Sequence, residues 1–202
     1  MARKYLEIAL TPAVAAAQKQ YFGRVYPRDD RSLPPDLLGS EEIAFIQSRD
    51  SFFLATVNEN GWPYVQHKGG KIGFLHVLDP ETLAFADYKG NRQLLSTGNL
   101  AANDRVSLFL IDYPQPARLK IFGHAVVKDA RSNPELVAKL SDPETGKIVE
   151  RILLIKVVSF DWNCPKFITP RFTAAEIDEY TAPLKARIAE LEKRLVSVVS
   201  SP

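Results

Sequence analysis

The stretch "FFLATVNENGWPYVQH", Phe52 to His67, sets the fold class. Two runs of β-branched and aromatic residues, "FFLATV" and "PYVQH", flank "NENG", whose Asn60-Gly61 pair tolerates the positive φ angles of a tight hairpin. The same rhythm continues through "GFLHVL", "TLAFAD", "RVSLFLID", "LKIFGHAVV" and "ILLIKVVSF". With turn signals roughly every ten residues, these runs predict about seven strands. "LDPET" supplies a second turn, in which Pro80 presets φ. Connections this short do not accommodate parallel crossovers, so the strands belong to an antiparallel barrel or sandwich.

Helical signals surround the strands. Upstream, Thr11 caps "PAVAAAQKQYF" with proline at the first helical position and glycine beyond the end. After the proline-broken loop "RDDRSLPPDLLG", Ser40 is the expected cap of a second helix. Glu41 and Glu42 stand in its first turn, and Ile43, Phe45 and Ile46 form its apolar face. Between strands, "RQLLSTGNLAAND" and "NPELVAKLSD" have room for two short helices. The tail opens on a capping box, Thr173 to Glu176. Ile177, Tyr180, Leu184, Ile188, Leu191 and Leu195 then form one helical stripe, suited equally to the chain's own barrel and to a second chain. The chain divides into a helical segment (1–50), a β domain (51–172) and a C-terminal amphipathic helix (173–202).

Composition narrows the function classes. A chain of 202 residues, 46% hydrophobic and 25% charged, has room for one domain with a real core. A formal net charge of +2, with bases and acids interspersed, argues against a nucleic-acid surface. The single cysteine, Cys164, cannot form an internal disulfide, which suits a reducing compartment, and its neighbours suggest simple packing. No apolar run approaches the ~20 residues of a membrane span, so a cytoplasmic protein without membrane contact is expected. There is no zinc-ligand spacing, serine elbow or paired-carboxylate motif, and no protein residue is assigned as catalytic or metal-ligating. His76 and His124 lie among apolar strand residues and read as structural.

Chemistry concentrates in two glycine-broken stretches. "FADYKGNRQLLSTGNL", Phe85 to Leu100, sets Asp87, Tyr88, Asn91, Arg92, Gln93 and Ser96 around Gly90 at the start of a helix. A small residue admits close backbone approach, arginine offers a fixed fork of donors, and the helix N-terminus adds partial positive charge. "QHKGGKIGF", Gln66 to Phe74, places Gln66, His67, Lys68 and Lys71 around a Gly-Gly pair. Alone, the first also reads as a solvated turn and the second as a bulged edge strand. Flanking one hairpin, the two together favour an anion site.

The run Phe52–Asp112 with "KGG", "TLAFADYKGNR" and "GNLAANDRV", joined by "DWNCPKFITPRF" (Asp161–Phe172), resembles the pyridoxamine 5'-phosphate oxidase-like FMN-binding split-barrel proteins. The resemblance spans roughly residues 43–172 and implies a six-stranded split barrel. With the seven runs read above, the expectation is a mainly β chain: a six- to seven-stranded antiparallel split β-barrel with flanking helices and a C-terminal helix. It further implies a homodimer with two FMN molecules in clefts at the subunit interface, acting with a small-molecule substrate. By the same resemblance Lys68 and Lys71 compete to supply the basic contact of the Gln66–Lys71 strand. Asp87 stands where a hydroxyl residue is common, and Asn91 and Arg92 stand where phosphate oxygens are bound. Gln93 replaces a lysine of the oxidases proper, so the strict oxidase is not expected. Trp162 and Asn163 match positions that approach the isoalloxazine from the partner subunit, with Arg171 a weaker candidate. An FMN-dependent oxidoreductase is the leading expectation. A non-catalytic FMN protein for storage or redox sensing, and a deazaflavin- or haem-binding relative, are the alternatives.

Overall fold

The computed structural model describes residues 3–27, 32–142, 145–163 and 166–199. It contains two compact units, Met1–Asp112 with Ala117–Pro165, and Tyr113–Pro116 with Lys166–Pro202. The first unit holds every strand: β1 (Ser51–Val57), β2 (Pro63–Gly69), β3 (His76–Asp79), β4 (Thr82–Tyr88), β5 (Arg105–Asp112), β6 (Ala117–Asp129) and β7 (Val149–Asn163). They form one seven-stranded sheet in the order β2-β1-β5-β6-β7-β4-β3, with every pairing antiparallel. The chain is mainly β, as the periodicity predicts.

The strand order dictates the shape of the sheet. β2 and β3 follow one another in sequence yet occupy opposite edges. Laid flat, a seven-stranded sheet would separate its edge strands by about 29 Å. The segment from Gly69 to His76 reaches about 25 Å even when fully extended. The sheet therefore curls until its edges approach, and it is not closed by a β2–β3 ladder.

Alternation along the strands fills the curl. Phe52, Leu54, Phe85, Leu108, Leu110, Leu119, Ile121 and Ile155 are essentially inaccessible and form the main core. Each such side chain contributes about 1.5–3 kcal/mol by burial. A second cluster on the opposite face of β4 and β7 joins Ala84, Ala86 and Ile152 to Leu140 of a short helix.

The helices follow local chemistry. Helix α1 (Arg3–Ala9), which no sequence signal marked, lays Tyr5 in a stack on Phe122 of β6 with ring centroids 4.4 Å apart. Helix α2 (Pro12–Phe22) is capped by Thr11, whose hydroxyl accepts from the Val14 N–H at 3.3 Å, and ends at Gly23 with φ 68°. Helix α3 (Ser40–Gln47) begins one residue earlier than expected: Gly39 is the cap, and Glu42 accepts its N–H at 2.9 Å. Helices α4 (Leu95–Ala102) and α5 (Pro134–Leu140) occupy the two expected insertions. In the first hairpin only Gly61, at φ 81°, takes the left-handed conformation, and Asn58 holds the turn by accepting from the Asn60 and Trp62 N–H groups.

In the second unit, Thr173 and Glu176 cap α6 (Ala174–Val199) reciprocally, with bonds of 2.7 and 3.2 Å. The helix continues through Pro183, and its apolar stripe is exposed. Arg171 stacks its guanidinium over Tyr113 at 4.9 Å. Among the described residues no helix is long and apolar enough to cross a membrane.

Two packing predictions follow from close contacts. Gly123 sits at a register shift between β6 and β7, where a Cβ would lie 2.6 Å from the Lys156 carbonyl oxygen. Gly123→Ala is expected to destabilise the chain by about 1–3 kcal/mol in chemical denaturation. Trp162 of β7 donates its indole N–H to the buried Glu42 carboxylate at 2.7 Å and meets Phe45 edge-on at 4.8 Å. Trp162→Phe is expected to cost about 1–3 kcal/mol by removing that donor, and an unchanged midpoint would show that the bond does not hold α3 to the sheet.

Candidate functional site

Side chains of the edge strand β2 alternate between two environments. Tyr64, Gln66 and Lys68 are partly buried, while Val65, His67 and Gly69 are exposed. Register pairs Tyr64, Gln66 and Lys68 with Thr56, Leu54 and Phe52, all inward-facing core positions. Thus β2 turns a polar face toward the interior, and that face needs partners.

Asp87 of β4 supplies the principal one. Its carboxylate accepts from Lys68 Nζ at 2.8 Å and from Arg151 Nε at 2.9 Å. Arg151 stands directly opposite Asp87 in the β4–β7 ladder, a cross-strand charge pair. These side chains are only 13% (Lys68), 16% (Asp87) and 18% (Arg151) exposed. One carboxylate thereby links three strands, and Arg151 Nη1 also reaches Glu150 at 3.1 Å.

The loop after β4 forms the opposite wall. Arg92 and Leu94 both adopt left-handed backbone, at φ 61° and 55°, where non-glycine residues are uncommon. Asn91 steadies the turn by accepting from the Gln93 N–H at 3.1 Å. Leu94 provides no side-chain cap for α4. Ser96, buried in the first turn of α4, donates to Gln66 Oε1 at 2.9 Å and so ties the helix to β2.

Between these walls lies a pocket of about 210 Å³, lined among others by Gln66, Lys68, Asp87, Gly90–Ser96 and Arg151. Its charged lining comprises Lys68, Arg92 and Arg151 against the single carboxylate of Asp87. Arg92 has no ion pair among the described residues. Positive excess, a glycine and the start of a helix suit an anion such as phosphate. The volume falls below the roughly 300–1,000 Å³ of sites that enclose a whole small ligand, so the pocket fits one end of a larger molecule.

The fold brings together Gln66, Lys68, Asp87, Asn91, Arg92, Gln93 and Ser96. Other candidates lie elsewhere, for identifiable reasons. His67 is one residue out of phase with Lys68, and its ring packs edge-on to Phe53 at 5.6 Å on the outer face. Lys71, beyond the end of β2, is exposed and paired with Asp142. Tyr88 falls on the face of β4 opposite Asp87 and, with Lys71, His76 and Lys139, lines a separate pocket. Trp162 is committed to Glu42 and Phe45. Asn163 ends β7, and its side chain, like Cys164, lies outside the described residues. Sequence reasoning missed Arg151, along with Tyr64 and Leu153 of the lining. An arginine inside "VERILLIKVV" offered a local charge signal, but its partner Asp87 is 64 residues away. Among the described residues no cluster of three or more His, Cys, Asp or Glu could hold a metal ion.

Residues 39–157 match the family model of pyridoxamine 5'-phosphate oxidase, which is more than half of the chain. The chain belongs to the pyridoxamine 5'-phosphate oxidase family. Solved structures of similar fold include a putative pyridoxamine 5'-phosphate oxidase from Lactobacillus delbrueckii, 21% identical, covering 62% of this chain and 93% of that one with a TM-score of 0.49. HupZ from Group A Streptococcus is 12% identical, covering 67% and 100% at a TM-score of 0.48. An FMN-binding protein from Syntrophomonas wolfei is 13% identical, covering 60% and 83% at a TM-score of 0.45. No curated protein matches the sequence.

The separate pocket carries a pH prediction. Burial foremost, and then the charge of Lys139, hold His76 below the ordinary imidazole pKa, partly offset by a backbone bond at Leu140. The unfolded chain then binds more protons than the folded one as pH falls below about 6.5. Stability contributed by neutral His76 is full above that pH and is lost as pH falls through the depressed folded value. Replacing His76 with Gln should flatten this limb of the stability profile, measured by denaturation midpoints between pH 5 and 8 relative to the parent chain.

Proposed function

We propose that this member of the pyridoxamine 5'-phosphate oxidase family is an FMN-dependent oxidoreductase, a homodimer in which the pocket beside α4 holds the FMN phosphate. The observation that carries the reading is the convergence of Lys68, Arg92 and Arg151 with the first turn of α4 on one small pocket. A phosphate monoester carries about −1.5 to −2 charges at neutral pH, which this lining offsets. The same pocket is too small for the tricyclic ring as well, so the ring extends beyond it. A second copy of the chain supplying the outer wall is consistent with that geometry. Flavin, when bound, supplies the hydride and electron chemistry, so no nucleophile is required of the protein.

The chain's own residues have binding and orienting tasks. Arg92, free of other ion pairs among the described residues, can turn its guanidinium to the phosphate oxygens. Gly90 leaves the backbone open to close approach. The Gln66–Ser96 bond fixes α4 against β2, and hence the position of the first helical amides. Gln93, a neutral amide at the pocket wall, adds hydrogen bonding without charge.

The absorbance spectrum of the purified chain tests this reading. Two visible flavin bands, retained on gel filtration at the mass of a dimer, are expected. A colourless chain that ignores added FMN, or one that carries a haem or deazaflavin spectrum instead, would overturn the cofactor. Arg92→Ala should weaken FMN binding by about 1.5–3 kcal/mol in a fluorescence titration. Turnover with small-molecule donors divides an oxidoreductase from a protein that only stores or senses flavin.

A further inference from the structure

Arg151 belongs to none of the sequence motifs, yet it enters the pocket from β7 with a restrained guanidinium. Nε is bound by Asp87 at 2.9 Å and Nη1 by Glu150 at 3.1 Å, which leaves Nη2 uncommitted among the described residues. An arginine gripped at Nε and Nη1, the nitrogens on either side of Nη2, presents its remaining donors in a fixed direction. We infer that Arg151, aimed by Asp87, contacts the ligand's phosphate and makes this pocket select FMN over riboflavin. The inference rests on the FMN reading above.

The charge distribution supports this role. Gln93 leaves the 90–97 loop with Arg92 as its one cation, too few to balance a phosphate dianion. At the pocket wall itself Asp87 is the one carboxylate against Lys68 and Arg151, because Glu150, the second acid on Arg151, is not part of the lining. Arg92 sits exposed on the loop, whereas Arg151 lies within the β4–β7 ladder and is mostly buried. A buried cation on a strand is better preorganised than one on a loop and loses less freedom when an anion arrives. Asp87 is thus a positioning residue rather than a phosphate ligand, since its own charge would repel the phosphate.

Riboflavin lacks the phosphate but keeps the ring and ribityl chain, so the ratio of the two dissociation constants isolates the contact. For the full chain, FMN is expected to bind at least 100-fold tighter than riboflavin. Arg151→Gln should reduce that ratio about 10- to 100-fold, with riboflavin affinity changed less than about 3-fold, in parallel fluorescence titrations. Equal losses for both flavins would show a purely structural role, and an unchanged ratio would show that the phosphate is held without Arg151; either overturns the inference while leaving FMN binding intact. Should Arg151→Gln not fold, Arg151→Lys carries the same test with an expected reduction of about 3- to 10-fold, and an unchanged ratio again overturns it. Parent chain that binds neither flavin would overturn both this inference and the FMN reading.

Discussion

The carboxylate of Asp87 lies where the curled sheet brings β2, on one edge, against β4 and β7, near the other. No backbone ladder joins β2 to either strand. The Lys68–Asp87–Arg151 contacts therefore cross a gap that sheet hydrogen bonding leaves open. Ion pairs of this kind contribute little net stability, because desolvation offsets most of the Coulomb attraction. The main core supplies cohesion, while the ion pairs set geometry. They hold two cations in a mostly buried place beside the pocket, where unpaired lysine and arginine would be costly.

Backbone strain accompanies this arrangement. Left-handed conformations at Arg92 and Leu94 cost about 1–3 kcal/mol each for residues with side chains. Neither position is glycine, although Gly90 lies only two residues before the first. The conformation persists because its surroundings over-determine it: the Asn91 Asx turn on one side, and the Leu94 carbonyl accepting from Gly98 at 2.8 Å on the other. Strain held between two anchors beside an electropositive pocket is expected where a loop must present particular donors to a ligand.

Much of this was legible in the sequence, and the residues show why some was not. Alternation along "FFLATV" and "RVSLFLID" depends on neighbouring residues, so strands and core faces followed directly. "KGNR" before a helix likewise carries its chemistry locally. The choice between Lys68 and Lys71 was not local, since the Gly-Gly pair obscured where β2 ends. The pairing of Phe52 with Lys68 extends the inward face of β2 to that lysine, which lines the pocket, and leaves Lys71 beyond the strand. His67 shared the motif but fell on the other face, a consequence of the two-residue period of a strand. Arg151 needed the β4–β7 register, a long-range pairing with no trace in either local sequence. Trp162 is a cofactor candidate by resemblance, and its bond to Glu42 of α3 is a further engagement that the motif does not show.

The placement of charge also separates anchoring from chemistry. Lys68, Arg92 and Arg151 all converge at the small pocket, while the main core cluster is aliphatic and aromatic. On the reading proposed above, a ligand would be fixed by one anionic end, with its remaining length outside this pocket. Sequence changes outside the pocket can then alter what meets the ligand without disturbing how it is held. Such a division explains how one scaffold supports many activities. It also means that Gln93 need not abolish cofactor binding, because a strand-borne arginine can supply the charge that the loop gives up.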